Sequence, residues 1–225
     1  FSRLLSLPKT LRRKDLIAIA HNKAEEFIPE DKANLTPALK ILPTNSGQIE
    51  VFYTAAQKGL LKEWVQIFEE MGLDIIGVTL ESVSSHAALH ANLKKEDTLL
   101  LDIGARTTTA SIFDAKGIRD SINIGIAGNS ITDALAKKLN ISHTAAEEKK
   151  RQVGMDSSVD QGEVMLVIQG QLQPVADELK KFVNFYEENS GRQLKSLVLI
   201  GGTAQIKGLS KYFSGNLNLK ILLLE

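Results

Sequence analysis

The chain has 225 residues, enough to bury a sizeable core and to form about two domains. Its 27 Lys and Arg residues balance its 27 Asp and Glu residues, so we expect no nucleic acid partner and no attraction to an anionic membrane. The lack of cysteine excludes disulfides and thiolate metal sites and fits a cytoplasmic protein. No apolar run reaches the length of a membrane span, and no signal peptide opens the chain.

The first part of the chain alternates between strand and helix patterns. In order, we predict a strand over 1–7, a helix over 11–27, strands over 38–42 and 48–55 with a polar turn at 43–47, a helix over 58–71 and a strand over 73–79. The order βαββαβ predicts a ferredoxin-like unit. Trp64 and Phe68 share the apolar stripe of the second helix, so we expect both to pack against the sheet.

The remaining residues predict a larger mixed domain. A connecting helix over 81–92 leads to strands over 98–103, 107–113 and 118–124, helices over 130–139 and 144–152, a loop over 156–162, a long helical stretch, and a final strand, helix and strand over 196–200, 206–214 and 219–224. Ser130 and Asp133 have capping-box spacing. Pro174 is expected to start or kink the second half of the long helical stretch. In that half the expected buried stripe is Val175, Leu179, Phe182, Val183 and Tyr186. Three meandering strands, helices and a strand–helix–strand ending predict a ribonuclease H-like domain.

Two glycine turns follow apolar strands. The run Leu99–Leu101 leads into Asp102, Gly104 and the hydroxyls of 107–109, and the run 197–200 leads into 201–204, with the sequence Gly-Gly-Thr-Ala. Phosphate oxygens require closely approaching backbone N–H groups, short hydroxyl donors and a carboxylate for the accompanying metal. For the first motif alone, a tight turn after a core strand is an equally good interpretation.

Together, Asp102-x-Gly104-x-x-x-Thr108 and residues 201–209 (Gly-Gly-Thr-Ala-Gln-Ile-Lys-Gly-Leu) resemble the second phosphate loop and the adenosine loop of the actin-like ATPase superfamily. Within it the chain most resembles the FtsA/PilM group, and in particular the PilM family of type IV pilus assembly. The resemblance covers nearly the whole chain. It implies an α/β fold with a remnant strand of the first actin-like subdomain (1–8), a ferredoxin-like subdomain (9–80) and the second, ribonuclease H-like domain (81–225).

The resemblance also implies a site for ATP and Mg²⁺. Asp102 would hold the metal and Glu81 would orient the attacking water as the catalytic residue. The residues implied in nucleotide binding are Gly104, Thr107 and Thr108 at the phosphates, Gly128 with bare N–H groups facing an anion, Glu147 and Lys150 at the ribose and base, and Gly201, Gly202 and Thr203 in the adenosine loop.

Each of these interpretations has a structural alternative. Glu81 is also a favourable first-turn acid, and Glu147 with Lys150 is also a common solvent-exposed ion pair at i,i+3 spacing. Arg106 fits a phosphate contact or an exposed surface position. His86 and His90 have helical spacing but no third ligand, so we expect a structural pair. The basic runs 12–14 and 149–151 are expected to lie on solvent-exposed faces.

A complete actin-like site has a first phosphate loop of the form Asp-x-Gly-x-Ser/Thr, and nothing before Lys9 resembles it. Because the sequence opens on Phe1 inside a predicted strand, we expect the carboxy-terminal two-thirds of a longer protein, with half of the nucleotide cleft.

The resemblance implies a cytoplasmic scaffold that is peripheral to the inner membrane through protein partners and at most a slow ATPase. Its expected partners are the cytoplasmic tail of a PilN-like pilus membrane protein and other inner-membrane pilus components, with self-association possible. The alternatives are an FtsA-like cell-division protein and a kinase of the same superfamily. The kinase alternative lacks a candidate catalytic Asp.

Overall fold

The computed structural model describes residues 1–24, 26–42, 48–89 and 96–222. The chain divides into two compact units, which we describe separately. The first unit comprises 1–87 together with 116–120, and the second comprises 88–115 together with 121–225. The predicted turn at 43–47 lies outside the described residues, as do the ends of the helix predicted over 81–92 and of the strand predicted over 219–224.

The first unit is built on a three-stranded antiparallel sheet in the order β1-β3-β2. Its elements are β1 (Ser2–Pro8), α1 (Leu16–Ala24), β2 (Leu35–Leu42), β3 (Gln48–Gln57) and α2 (Lys58–Glu70). A 3₁₀ turn over Arg13–Asp15 replaces the start of the helix predicted over 11–27. Apolar side chains of α1, chiefly Leu16 and Ala20, pack against Leu7, Val51 and Tyr53 of the sheet, and all five are buried.

The strand at 1–8 belongs to this sheet. Each of its residues from Ser2 to Pro8 pairs with a residue of β3, from Thr54 to Gln48. The segment that we expected to be a remnant strand of a separate subdomain therefore lies in one sheet with β2 and β3, because β3 offers it a full ladder of backbone partners.

The packing predicted for the second helix is wrong. No residue of α2 is buried, and Trp64 is 53% exposed. Trp64 and Phe68 stack on each other instead, with ring centroids 6.2 Å apart. The buried core on the sheet is formed with α1, and no residue of α2 takes part in it. An apolar stripe indicates which helix face can be buried and does not supply the surface that buries it.

The strand predicted over 73–79 is not formed. Residues 73–80 lie in no helix or strand, and Leu73 and Ile76 are exposed. The order βαββαβ therefore lacks its last strand. A strand forms where a sheet edge pairs with it, and apolar composition alone provides no such edge.

The second unit is a five-stranded mixed sheet in the order β6-β5-β4-β7-β8 with helices packed on it. The elements are β4 (Thr98–Ile103), β5 (Thr108–Asp114), β6 (Gly117–Ile124), α4 (Gly128–Leu139), α5 (His143–Val153), α6 (Glu163–Ser190), β7 (Ser196–Ile200), a 3₁₀ turn (Gly202–Gln205), α7 (Leu209–Leu217) and β8 (Lys220–Ile221). The first residues of β6 are grouped with the first unit. The connecting helix α3 covers Glu81–Leu89. β4 pairs antiparallel with β5 and parallel with β7, as the predicted plan requires.

The core of the second unit lies between this sheet and α6. Leu99, Leu101 and Leu197 of the sheet are fully buried. The stripe predicted for the second half of α6 is confirmed, because all five of its members are buried in the same core: Val175, Leu179, Phe182, Val183 and Tyr186. α6 continues through Pro174 as one helix, so this proline does not start a new one.

The start of α4 differs from the prediction. The helix begins at Gly128, two residues before the predicted start. Ser130 is therefore inside the first turn, where its Oγ accepts a hydrogen bond from the Ala127 N–H at 3.5 Å. The predicted cap at Ser130 is wrong because the chain turns into the helix at the preceding glycine.

An ionic cluster of two buried carboxylates and one partly exposed arginine joins the start of β4 and the end of β5 to the segment after α6. The Arg192 guanidinium donates to Asp114 Oδ2 at 2.6 Å and to Asp97 Oδ1. Tyr186 donates its hydroxyl to Asp97 Oδ2 at 2.8 Å. Burial, followed by this hydrogen bond to a carboxylate, raises the pKa of Tyr186 above its ordinary value. Two buried carboxylates thus share one arginine, which compensates their charge.

Across residues 1–24, 26–42, 48–89 and 96–222, none of the helices combines the length and the apolar character that crossing a membrane requires.

Candidate functional site: a cleft beside two glycine loops

The two glycine loops lie side by side in the second unit. β4 and β7 are parallel neighbours, with Asp102 opposite Ile200, so the loops that follow them leave the same edge of the sheet. Gly201 has φ +88°, and a Cβ there would collide with Asp102 Oδ1 and with the Ile103 carbonyl. Only glycine fits this position. A positive φ is unfavourable for residues with a side chain, and a Cβ would collide with the end of β4. The Asp102 carboxylate therefore lies directly against the second loop.

The first loop closes on itself as a tight turn. The Gly104 N–H donates to the Thr107 carbonyl at 3.0 Å, and the Thr108 hydroxyl donates to the Ile126 carbonyl at 2.7 Å. Thr108 is buried and Thr107 is exposed. Both donors are thus occupied within the protein, and the contacts of Gly104, Thr107 and Thr108 with phosphate stay predictions.

The amino end of α4 is docked against the first loop. The Gly128 N–H donates to the Gly104 carbonyl at 3.0 Å, and the Asn129 N–H donates to the Ala105 carbonyl at 2.7 Å. A Cβ at Gly128 would lie 3.1 Å from the Gly104 carbonyl and inside the contact distance of Thr203 Oγ1. The expectation of bare N–H groups at Gly128 is wrong, because the loop carbonyls take them. The glycine permits close approach of backbone to backbone.

The second loop is tied to the first by one side chain. The Thr203 hydroxyl donates to the Gly104 carbonyl at 2.9 Å. The Gly104 carbonyl therefore accepts from the Thr203 hydroxyl and from the Gly128 N–H, and joins both glycine loops and α4.

Lys150 lies at the centre of a buried polar network between α4 and α5. Its ammonium donates to the Gly128 carbonyl at 3.0 Å, to Thr132 Oγ1 at 2.8 Å and to Glu147 Oε2 at 2.6 Å. Its side chain is 4% exposed, so the interpretation of 149–151 as a solvent-exposed run is wrong for this residue. Since an ammonium has three hydrogens, all of them have protein partners here. The prediction that Lys150 contacts adenosine is untested, and the network shows that it fixes the start of α4.

Glu147 is held ionised by the same network. Its Oε2 also accepts from the Thr132 hydroxyl at 2.6 Å, and its Oε1 accepts from Arg151 Nε at 2.9 Å. Burial by itself would raise the pKa of Glu147, but hydrogen bonds from Lys150, Thr132 and Arg151 and the charge of Lys150 together lower it to about 2. The carboxylate is therefore a fixed negative charge at the wall of the site.

These elements enclose a cleft with a volume of about 470 Å³. Its walls are formed by the first loop, α4, α5 and the 3₁₀ turn after Gly201, with the lining residues Ala105, Gly128, Asn129, His143, Glu147, Lys150, Arg151, Gly202, Thr203, Gln205 and Ile206. Five of the residues predicted from sequence thus come together in one cavity: Gly128, Glu147, Lys150, Gly202 and Thr203. Gly202 has open space where a Cβ would stand, so its surface faces free volume.

Gln205 and Ile206 lie within the predicted adenosine loop 201–209, whereas Ala105, Asn129, His143, Arg151 and Thr132 were not predicted as site residues. Arg151 follows Glu147 by one helical turn, and Thr132 follows Gly128 by the same spacing, so helical periodicity could have found both. His143 carries no such signal, because only the folded chain brings the start of α5 to the cleft.

Glu81 is not among the residues that line this cleft. It is the first residue of α3 and belongs to the first compact unit, and its side chain is exposed. Its catalytic role stays a prediction. His86 lies on the same helix, while His90 lies outside the described residues.

The described residues hold no group of three or more His, Cys, Asp or Glu side chains that could bind a metal ion. Asp102 offers one half-buried carboxylate. A single carboxylate combined with phosphate oxygens and water is the usual way in which proteins hold Mg²⁺ beside a nucleotide.

The fold of this chain is actin-like. The chain superposes on the PilM–PilN type IV pilus biogenesis complex with a TM-score of 0.83 and 21% identity, covering 98% of this chain and 65% of that chain. MreB 5 of Spiroplasma citri bound to AMPPNP matches with a TM-score of 0.58 and 19% identity, over 74% of this chain and 60% of that chain. EutJ of Carboxydothermus hydrogenoformans matches with a TM-score of 0.56 and 24% identity, over 71% and 55%. These likenesses confirm the predicted actin-like α/β fold.

The sequence model of the type IV pilus assembly protein PilM matches residues 1–225. The chain therefore belongs to the PilM family, as the motifs predicted. Among curated proteins, the cell division protein FtsA of Staphylococcus epidermidis is 25% identical over 138 residues, which are 60% of this chain and 30% of that protein. FtsA of Bacillus subtilis is 26% identical over 131 residues, which are 58% and 30%. The chain thus aligns with only 30% of the length of these curated relatives.

Proposed function

We propose that the chain is an ATP- and Mg²⁺-binding actin-like scaffold of type IV pilus assembly. The observation that carries the nucleotide part is the cleft of about 470 Å³, which gathers five predicted nucleotide-binding residues beside Asp102. In this proposal the protein lies in the cytoplasm, next to the inner membrane through protein partners, and hydrolyses ATP slowly or not at all.

The donor set of the cleft fits a nucleotide with its metal. Gly202 leaves a free surface on which a flat base or a ribose can lie, and Asp102 supplies a carboxylate oxygen for a hydrated Mg²⁺. The metal would neutralise phosphate charge when bound. Lys150 and Glu147 position the amino end of α4, and Thr203 fixes the spacing of the two loops.

Substitution of Gly202 tests the nucleotide site most directly. Gly202→Leu fills open cleft volume without a clash inside the protein, so it should weaken binding of Mg–ATP at least about tenfold and leave folding unchanged. Gly170→Leu is the matched control, because Gly170 is exposed on α6 and also has open space at its Cβ position. Calorimetric titration of the longest gene product that contains these residues provides the affinity. Equal affinity for both variants would refute the site.

Asp102→Ala should abolish Mg–ATP binding in the same assay. For residues 1–225 alone we expect weak or no binding. Only the second of the two phosphate loops of an actin-like site is recognisable in this sequence, and a cleft with one phosphate loop cannot exclude water. Micromolar affinity of residues 1–225 for ATP would contradict this half-site argument.

The partner part of the proposal rests on the family and on the solved PilM–PilN complex. We propose that the cytoplasmic tail of a PilN-like membrane protein binds the first unit, within residues 1–80, and leaves Asp102 and Gly201 largely unchanged. Contacts with other inner-membrane pilus components and self-association belong to the same proposal. Backbone amide shifts on addition of the tail peptide to the intact protein test it, and shifts confined to residues 98–225 would refute it.

An FtsA-like role in cell division is the second candidate, and the curated FtsA relatives favour it. The pilus role is preferred because the PilM family model matches the whole chain, whereas the FtsA matches cover about 60% of it.

A further inference from the structure

We infer that the outer edge of β2 in the first unit binds an extended segment of a protein partner by strand addition, and that this segment alternates apolar and acidic side chains. The inference rests on the proposed partner-binding role of the first unit, and it specifies the edge, the binding mode and the composition of the ligand.

β2 is a terminal strand of the sheet, and within the described residues only β3 pairs with it. The direction of its backbone groups follows from β3. Ala55 of β3 donates its N–H to the Phe1 carbonyl at 2.9 Å and accepts from the Phe1 amino group at 2.9 Å, so both of its groups point towards β1. Its partner in β2 is Pro37, which therefore sits in a non-hydrogen-bonded pair with its carbonyl pointing outward.

The same alternation continues along the strand. Leu39 pairs with Tyr53 and Ile41 pairs with Val51, so the backbone groups of Leu39 and Ile41 also point outward. The Ala38 carbonyl, which has the opposite parity, accepts from Thr54 Oγ1 of β3 at 3.4 Å. The edge thus offers three carbonyls and two N–H groups to an added strand. Pro37 removes only one donor, as is usual for proline on an edge strand.

A groove of about 730 Å³ runs beside this edge. It is lined by Lys14, Ile17, Pro37, Ala38, Leu39, Lys40 and Ile41. Ile17 is 42% exposed and Ile41 is 36% exposed, so the groove keeps apolar surface open to solvent next to outward-pointing backbone groups. In strand addition the backbone provides affinity, and pockets for alternate side chains provide specificity.

The positive charge of the groove favours a ligand with acidic side chains. Its lining includes two lysines and no acidic side chain, and neither lysine forms an ion pair within the described part of the chain. Along β2, Lys40 points to the sheet face opposite Leu39 and Ile41, because neighbouring side chains alternate. A ligand strand would therefore place apolar side chains beside Ile17 and Ile41 and acidic ones beside Lys40. A second copy of β2 would instead bring like charges together, which disfavours self-pairing.

Two synthetic ten-residue peptides test the inference with residues 1–225. One alternates Val and Glu, and the other alternates Val and Lys. We expect only the Val/Glu peptide to bind, with amide shifts centred on residues 35–42, and we expect N-methylation of every second peptide nitrogen, on the edge-facing side, to abolish binding. Calorimetry gives the affinities and NMR gives the location.

Charge reversal in the protein provides the matched variants. Lys40→Glu should weaken the Val/Glu peptide about fivefold or more, and should permit binding of the Val/Lys peptide. Lys23→Glu makes the same charge change at an exposed position of α1 outside the groove and should leave both affinities unchanged. Equal binding of both peptides, an unaffected Lys40→Glu variant, or shifts centred on β1 would each overturn the inference.

Amide shifts caused by the PilN-like tail peptide distinguish the proposed function from this inference. Shifts within the first unit that avoid residues 35–42 would leave the proposed function intact and overturn this inference. Shifts confined to residues 98–225 would overturn both.

Discussion

Replacing Lys150 by methionine should destabilise the second unit strongly, although the change conserves much of the volume of the side chain. The ammonium makes three hydrogen bonds, to Gly128, Thr132 and Glu147, and its side chain is only 4% exposed. Loss of one member of a buried ion pair costs about 3–5 kcal/mol, because the other charge is left without compensation. Arg151 still contacts Glu147, whose side chain is 29% exposed, so we expect the lower end, about 3 kcal/mol.

Urea unfolding followed by circular dichroism measures this loss as a change in the free energy of unfolding. Lys149→Met is the matched control: this neighbour is 34% exposed and pairs with Asp160 at 2.6 Å, so its loss should cost less than about 1 kcal/mol. Combining Lys150→Met with Glu147→Gln removes the uncompensated carboxylate and should recover about 1 kcal/mol or more. If Lys150→Met were as stable as Lys149→Met, the buried network would not be what holds α4 to α5.

Three further predictions concern the same unit. The pKa of Glu147 is about 2 in the folded state against an ordinary value of 4.5, so the stability that its ionised carboxylate contributes is fully present above pH 4.5 and is lost as the pH falls towards 2. This contribution is at most about 3 kcal/mol, and less after solvent screening. In a series of unfolding measurements at different pH values, Glu147→Gln should lack this pH dependence. Gly201→Ala should cost about 2 kcal/mol or more, since φ is +88° and the Cβ would lie 2.8 Å from a β4 carbonyl carbon, whereas Gly202→Ala, with open space, should be nearly neutral in the same urea assay. Arg192→Met should cost about 2 kcal/mol in thermal or urea unfolding, because the buried carboxylates of Asp97 and Asp114 would lose a shared cation that is itself 43% exposed; a loss below about 1 kcal/mol would show that other contacts compensate the two carboxylates.

Local sequence patterns predicted most of the second unit. The apolar runs at 99–101 and 197–200 predicted two buried strands, and the 3.6-residue period of α6 predicted its buried face through Tyr186. The glycine turns after both strands correctly marked the sheet edge at which the cleft lies. These features are set by residues close in sequence, so periodicity and turn chemistry suffice to find them.

The same patterns failed where burial depends on a distant surface. The stripe of α2 is apolar like that of α6, yet Trp64 is exposed, because the buried core of the first unit forms between the sheet and α1. The segment 73–79 has the composition of a strand, yet it pairs with none of the described strands, because composition does not decide whether a segment reaches a sheet edge.

The sequence by itself determined which loops, helices and strands carry the candidate site, since Asp102, Gly104, Gly201 and Gly202 can be read directly after their strands. Only the tertiary structure decided what these groups do. The Gly128 N–H is taken by the Gly104 carbonyl, and Lys150 is buried against Thr132, because docking of α4 between the first loop and α5 brings together donors and acceptors that are 18 to 24 positions apart in the chain. Hydrogen bonds between such distant residues depend on the packed arrangement of elements, which no local pattern encodes.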